Sequence, residues 1–153
     1  MKLLLDTTYL LPAIGISVKG LLKDAPIKLM LKTHKIFISD ISIFELSANG
    51  AKHIATGTLS AERVTRGIRA IIYDETITIS PMHDSTILLT AFKLRSMLND
   101  FLDCLILSSA INQCDALITE DKDIQTLKKN REFNEFLMTI NPQFKIQTLT
   151  ETL

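Results

Sequence analysis

The chain has 153 residues, 46% of them hydrophobic, and its 17 basic and 17 acidic side chains cancel to a formal net charge of +0. This length suits a single domain, residues 1–153, that can bury a core. No apolar run approaches the ~18 residues of a membrane span, which argues against a membrane partner. The neutral balance excludes nucleic-acid binding driven by global charge, so such binding would need local patches.

Strands and helices are predicted to alternate along the chain. Residues 2–5 are a continuous apolar run, typical of a strand buried on both faces of a parallel sheet. A helix is predicted over 9–16 with Pro12 in or near its first turn, and an amphipathic helix interrupted by Pro26 over 20–33. Further strands are predicted at 36–38, 77–79, 116–118 and 144–149, the last of them at an edge of the sheet. Further helices are predicted at 41–52, 58–73, 85–97, from Asp103 onward, at 121–130 and, as a helix or loop, at 131–139.

This alternation of strands and helices predicts an α/β fold. We expect a three-layer α/β/α sandwich around a mainly parallel five-stranded sheet. The two cysteines, Cys104 and Cys114, lie ten residues apart on one predicted helix, which separates them by about 15 Å. A disulfide needs Cα atoms within roughly 7 Å, so both are expected to be reduced thiols that pack in the core. The N-terminus lacks the longer apolar region and cleavage site of a signal peptide, and we therefore expect a cytoplasmic protein.

Four acids stand at corresponding places in this pattern. Asp6 and Asp121 follow predicted strands, Glu45 lies about two helical turns after another strand, and Asp103 begins the helix that leads to the strand 116–118. Ligands collect at the carboxyl ends of parallel strands, so the four acids would converge there if the first strand is central. Gathered carboxylates need compensating positive charge, and hard divalent ions such as Mg²⁺ or Mn²⁺ supply it. One or two such ions would suit phosphodiester hydrolysis.

Each of these acids also has a purely structural interpretation. Asp6 and Asp121 could cap the helices that follow them, and Glu45 could be solvated or paired in a salt bridge. Asp103 could be a helix N-cap, because a cluster of capping residues precedes it.

The basic residues and histidines give weaker signals. The arginines step along one side of a predicted helix and could contact phosphates, although a solvated face is the simpler interpretation; they are Arg63, Arg66 and Arg69. The histidines form neither a catalytic triad nor a zinc-ligand pattern and are interpreted as surface residues; they are His34, His53 and His83.

Taken together, four motifs resemble the PIN domain family, most closely its VapC-type toxins and related small prokaryotic members. In chain order they are LLLDTTYLL at 3–11, ISIFEL at 41–46, DCLILSSA at 103–110 and ALITED at 116–121. Each motif is short, but the ordered set is fairly specific and spans nearly the whole chain.

The resemblance implies a metal-dependent endoribonuclease with one or two Mg²⁺ or Mn²⁺ ions. Its metal-binding and catalytic acids would be Asp6, Glu45, Asp103 and Asp121. It further implies that Thr7 and Thr119 orient carboxylates or water and that Asp123 is an additional outer acid. Glu120 departs from the family pattern, since a basic residue is common there, and it adds negative charge beside the site.

The resemblance also implies partners. VapC-type toxins act on RNA, form homodimers and are silenced by an antitoxin that occupies the site, so a type II toxin is the expected role. Two alternatives remain open: a housekeeping PIN nuclease in RNA processing or decay, and a PIN-fold binding module without catalytic activity.

Overall fold

The computed structural model describes residues 1–21, 24, 28–29 and 32–153. Within those residues the strands are β1 (Lys2–Leu5), β2 (Lys35–Ser39), β3 (Ile77–Ser80), β4 (Ala116–Ile118) and β5 (Lys145–Gln147). They form one five-stranded sheet in the order β3-β2-β1-β4-β5, and every pairing is parallel. The predicted sheet is confirmed, and β1 is its central strand.

Helices connect these strands. A 3₁₀ helix spans Thr7–Ile14, and a short 3₁₀ turn spans Leu127–Lys129. The α-helices are α1 (Asp40–Ala55), α2 (Ala61–Ile72), α3 (Ser85–Leu94), α4 (Phe101–Gln113), α5 (Lys122–Thr126), α6 (Arg131–Ile140) and α7 (Leu149–Thr152). Among the helices in the described residues, none is long and apolar enough to cross a membrane. The amphipathic helix predicted over 20–33 falls largely on residues outside this description.

Side-chain alternation along the strands divides the apolar residues into two cores. Leu3 and Leu5 of β1 point into one core, with the 3₁₀ helix, α1 and α2. Leu4 points into the other, with α3, α4 and α6. Both faces of the sheet are therefore covered, as the continuous apolar run of β1 requires, and the predicted three-layer sandwich is confirmed.

Side-chain caps set where most of the α-helices begin. At the starts of α1 to α6 a side-chain oxygen accepts a backbone N–H from the first turn, which satisfies one of the helix's unpaired donors. These caps are Ser39, Ser60, Asp84, Asp100, Asp121 and Asn130. The structural alternative given for Asp121 is confirmed, because it caps α5. The corresponding alternative for Asp103 is wrong, because Asp100 caps α4.

The first helix begins earlier than predicted. The Asp6 carboxylate accepts the Thr7 N–H at 2.7 Å, so the 3₁₀ helix starts directly after β1, and Pro12 lies beyond its first turn. Gly15 ends this helix in the left-handed conformation (φ 95°), which glycine adopts without a Cβ clash. Its N–H donates to the Pro12 carbonyl at 3.1 Å.

The C-terminal strand is shorter than predicted. β5 lies at the edge of the sheet as expected, but it ends at Gln147 and is followed by α7. Thr148 and Glu151 form a reciprocal capping box, in which each side chain accepts the other residue's backbone N–H. The polar residues of this segment fit both the alternation of a strand and the spacing of a helix capping box, and the predicted strand therefore ran too far.

Both cysteines are free and buried. Cys104 lies within α4, and Cys114 follows directly after that helix ends. The expectation of reduced, core-packing thiols is confirmed.

Candidate active site

Asp6 is the most buried of the four predicted acids. It follows the central strand β1 and is only 7% exposed. One carboxylate oxygen accepts the Thr7 N–H at 2.7 Å, and the other accepts the Thr119 hydroxyl at 2.5 Å. Burial raises the pKa of Asp6, the two hydrogen bonds oppose that rise, and the nearby charge of Asp121 adds to it. The two hydrogen bonds therefore hold the Asp6 carboxylate in place, while burial disfavours its charged form.

Thr119 connects two of the acids. Its hydroxyl donates to Asp6 and accepts the backbone N–H of Asp121 at 3.1 Å. The Asp121 carboxylate in turn accepts the Ile124 N–H at 2.9 Å and caps α5. The segment after β4 is thus joined to the end of β1 by a side chain that is itself fully buried.

Thr7 holds the third acid. Its hydroxyl donates to a Glu45 carboxylate oxygen at 2.7 Å and lies 2.9 Å from the Ser42 hydroxyl. The Thr7 hydroxyl has one proton and a carboxylate accepts only, so Ser42 is the donor in the second contact. Burial raises the pKa of Glu45, the Thr7 bond opposes this, and the charges of Asp6 and Asp100 contribute further. The first turns of α1 are in this way connected to the start of the 3₁₀ helix.

Asp103 has the most unfavourable surroundings of the four acids. It lies in the first turn of α4, one turn from Asp100. Burial raises the pKa of Asp103 to about 7, and the charges of neighbouring carboxylates contribute, in decreasing order Asp100, Asp121, Asp6 and Glu45. Among the described residues no hydrogen bond or ion pair reaches this carboxylate. A carboxylate without a partner among other carboxylates is a position that a cation would stabilise.

The four acids therefore share one electrostatic neighbourhood at the carboxyl edge of the sheet. The atoms that these four carboxylates offer to a metal ion are all oxygens, which are the ligand atoms that Mg²⁺ and Mn²⁺ prefer. In the part of the chain that the structure describes, however, no three or more His, Cys, Asp and Glu side chains are placed so that they could hold one metal ion together. The donor types fit a divalent ion, and the acids would have to move toward one another to bind it.

The outer predicted residues contribute less to this arrangement. Asp123 is exposed in the first turn of α5. Arg63 donates from Nη1 to the Ala13 carbonyl at 2.6 Å, so its guanidinium supports the end of the 3₁₀ helix. Arg66 and Arg69 are exposed on α2 and line a shallow depression.

Sequence reasoning missed two contributors to the site. Asp100 is a fifth acid that raises the pKa of both Asp103 and Glu45. Its position directly before a helix is that of a cap, which gives no sign of a role at the site. Ser42 lies three residues before Glu45 on α1, a spacing that places both on one face of a helix, and this was the available signal.

Comparisons with known proteins agree with this architecture. The family model described as PIN domain matches residues 3–130. This chain is also similar to a chain from a solved structure, described as the crystal structure of VapBC2 from Rickettsia felis bound to a DNA fragment from their promoter. The two chains superpose with a TM-score of 0.60 at 20% sequence identity, and the match covers 97% of this chain and 98% of that chain. At such identity the likeness shows a shared fold. No curated protein gives a significant match. The family match covers most of the chain and includes all four acids, and the protein belongs to the PIN domain family.

Proposed function

We propose that this protein is a Mg²⁺- or Mn²⁺-dependent endoribonuclease that hydrolyses phosphodiester bonds in RNA. The observation that carries the proposal is the Asp103 carboxylate, which is partly buried among four other acids and has no hydrogen-bonding or cationic partner among the described residues. A binding surface without chemistry has no physical reason to gather charges in this way. Nucleases of the PIN family, to which the chain belongs, hydrolyse RNA.

Asp6, Glu45, Asp103 and Asp121 would hold one or two ions. A divalent ion bound there would lower the pKa of a coordinated water and neutralise charge on the scissile phosphate. Thr119 and Thr7 keep Asp6 and Glu45 in fixed rotamers, so that these carboxylates do not have to be ordered when substrate arrives. An Asp103 carboxylate oxygen that does not bind an ion would accept a hydrogen bond from the water that attacks phosphorus. Hydrolysis forms one P–O bond to the water oxygen and breaks the P–O bond to the leaving ribose oxygen. One proton of the water ends on that ribose oxygen and the other in solvent.

The test is cleavage of a labelled single-stranded RNA with Mg²⁺, with Mn²⁺ and with EDTA. We expect cleavage with either metal and none with EDTA. Asp6→Asn and Asp103→Asn should each lower the rate at least 100-fold, because each removes a charged ligand. Glu132→Gln, which removes an exposed acid from the first turn of α6, is the control and should cleave like the wild type. Cleavage that survives EDTA or either site substitution would contradict the mechanism.

We propose that the biological role is that of a toxin paired with an antitoxin, in the cytoplasm and as a homodimer. The support is the similarity in fold to a chain of VapBC2. Induced expression should arrest growth, and Asp6→Asn should abolish the arrest. RNA cleavage without growth arrest would favour a housekeeping nuclease, and light scattering would establish the oligomeric state. Exposed Arg66 and Arg69 are the proposed phosphate contacts, and a double change to Ser should raise KM for RNA.

A second candidate, a PIN-fold binding module without catalysis, is favoured by one observation. No three of the described acids are placed to hold a metal ion together. Calorimetry with Mn²⁺ separates the two functions, since a nuclease must bind the ion and a silent module need not. An absence of both Mn²⁺ binding and RNA cleavage would establish the second candidate in place of the first.

A further inference from the structure

Glu120 stands between Thr119 and Asp121, but its side chain is engaged elsewhere. Its Oε1 accepts the Tyr9 hydroxyl at 2.7 Å and the Leu149 backbone N–H at 3.1 Å. Tyr9 is only 2% exposed, and Leu149 is also buried. We refer to this three-residue contact of Tyr9, Glu120 and Leu149 as the Tyr9 clasp.

The Tyr9 clasp joins the segments that follow three neighbouring strands. Tyr9 lies in the 3₁₀ helix after β1, Glu120 in the loop after β4, and Leu149 at the start of α7 after β5. The loop after β4 carries Asp121, and Asp6 caps the start of the 3₁₀ helix. The clasp is therefore a second connection between the same two segments that Thr119 joins through its bond to Asp6.

The two connections are made by successive side chains of the loop. The Thr119 hydroxyl reaches Asp6, whereas the next side chain, Glu120, reaches Tyr9 and the start of α7. The Thr119 backbone is also held, because its N–H donates to the Gln147 carbonyl at 3.0 Å and its carbonyl accepts Gln125 Nε2 at 2.7 Å. The Tyr9–Glu120 bond adds a side-chain restraint at the position directly before Asp121. Burial and the Glu120 charge both raise the pKa of Tyr9, so its hydroxyl stays protonated and remains a donor.

We propose that Tyr9 and Glu120 are positioning residues, which hold the loop that carries Asp121 beside Asp6 and so limit the rearrangement that divalent-ion binding requires. This inference rests on the proposed metal-dependent function. The negative charge of Glu120 is taken up by one hydroxyl and one amide donor, and it does not act as an additional free acid at the site.

The first test compares Tyr9→Phe with Tyr73→Phe. Each change removes one hydroxyl from one of the two tyrosines of the chain, and Tyr73 is 73% exposed at the end of α2. Amide hydrogen exchange is measured in EDTA, and Mn²⁺ affinity is measured by calorimetry. Tyr9→Phe should raise the exchange rate of the Asp121 amide and weaken Mn²⁺ binding about tenfold, as losses of outer partners at metal sites typically do. Tyr73→Phe should change neither.

The second test uses Glu120. Glu120→Gln keeps a carbonyl oxygen that can accept both hydrogen bonds and should bind Mn²⁺ within about twofold of the wild type. Glu120→Ala removes the acceptor and should match Tyr9→Phe. Unchanged exchange and Mn²⁺ affinity in Tyr9→Phe, or equal losses in both Glu120 variants, would overturn the inference. Wild-type protein that binds Mn²⁺ but cleaves no RNA would contradict the proposed nuclease and leave the Tyr9 clasp intact.

Discussion

Replacing Asp103 with Asn should stabilise the protein in EDTA at pH 8, although it removes a proposed catalytic residue. The folded state raises the pKa of Asp103 from 3.8 to about 7 through burial and neighbouring carboxylates. An acid with a raised pKa costs no stability below its unfolded pKa, where both states are protonated. The cost grows as the pH rises from about 4 to about 7 and is complete above that.

The size of the effect follows from the shift. About three pKa units at 1.36 kcal/mol each give an upper limit of roughly 4 kcal/mol. Asp103 is only partly buried, and solvent screening reduces this to about 1 to 2 kcal/mol. For a chain of this length, that gain corresponds to a rise in Tm of about 3 to 6 °C at pH 8.

Thermal melting in EDTA at pH 8 and at pH 4 measures the prediction. The gain for Asp103→Asn should be present at pH 8 and absent near pH 4. The control Glu132→Gln should change stability by less than about 0.5 kcal/mol, as exposed substitutions usually do. Added Mn²⁺ should stabilise the wild type more than Asp103→Asn, because the ion binds the folded state. A variant that is less stable than the wild type at pH 8, or a gain that is equal at both pH values, would refute the reasoning.

Three further predictions concern packing. Gly67→Ala should destabilise the fold by about 3 kcal/mol in denaturant titration, because its Cβ would lie 2.2 Å from the Ala13 carbonyl oxygen; an effect below about 1 kcal/mol would contradict this contact. Ser60→Ala removes the cap of α2 and should cost about 1 kcal/mol in the same titration. Cys104 and Cys114 should react with a thiol reagent only on unfolding, since both are buried and burial raises the pKa of Cys114 to about 12; rapid labelling of the folded protein would exclude the packing described.

Much of the fold was predictable from local patterns. The apolar run of β1 and the helical spacing in α1 to α4 depend on short-range chemistry, and each of these elements lies close to its predicted place. Predictions were less accurate where one local pattern is compatible with two structures. Residues 144–149 alternate like a strand, but Thr148, near the end of that range, forms a helix capping box with Glu151.

The candidate site was predictable in its acids and less so in their contacts. Asp6, Glu45, Asp103 and Asp121 were predicted to converge, and the order of the strands brings them to one edge of the sheet. Their roles as metal ligands stay predictions. Asp100 was not predicted as part of the site, because nothing in its local sequence shows that Glu45, which lies on another helix, is near it.

The amino-acid sequence by itself determined the type and order of the elements and placed acids at their ends, because hydrophobic periodicity and helix capping act over a few residues. Only the tertiary structure decided that β1 is central and that Glu120 turns toward Tyr9. Those outcomes depend on contacts between distant parts of the chain, such as the Tyr9–Glu120 bond across 111 positions. Such contacts form only when the sheet and both helical layers pack together, so no local pattern records them.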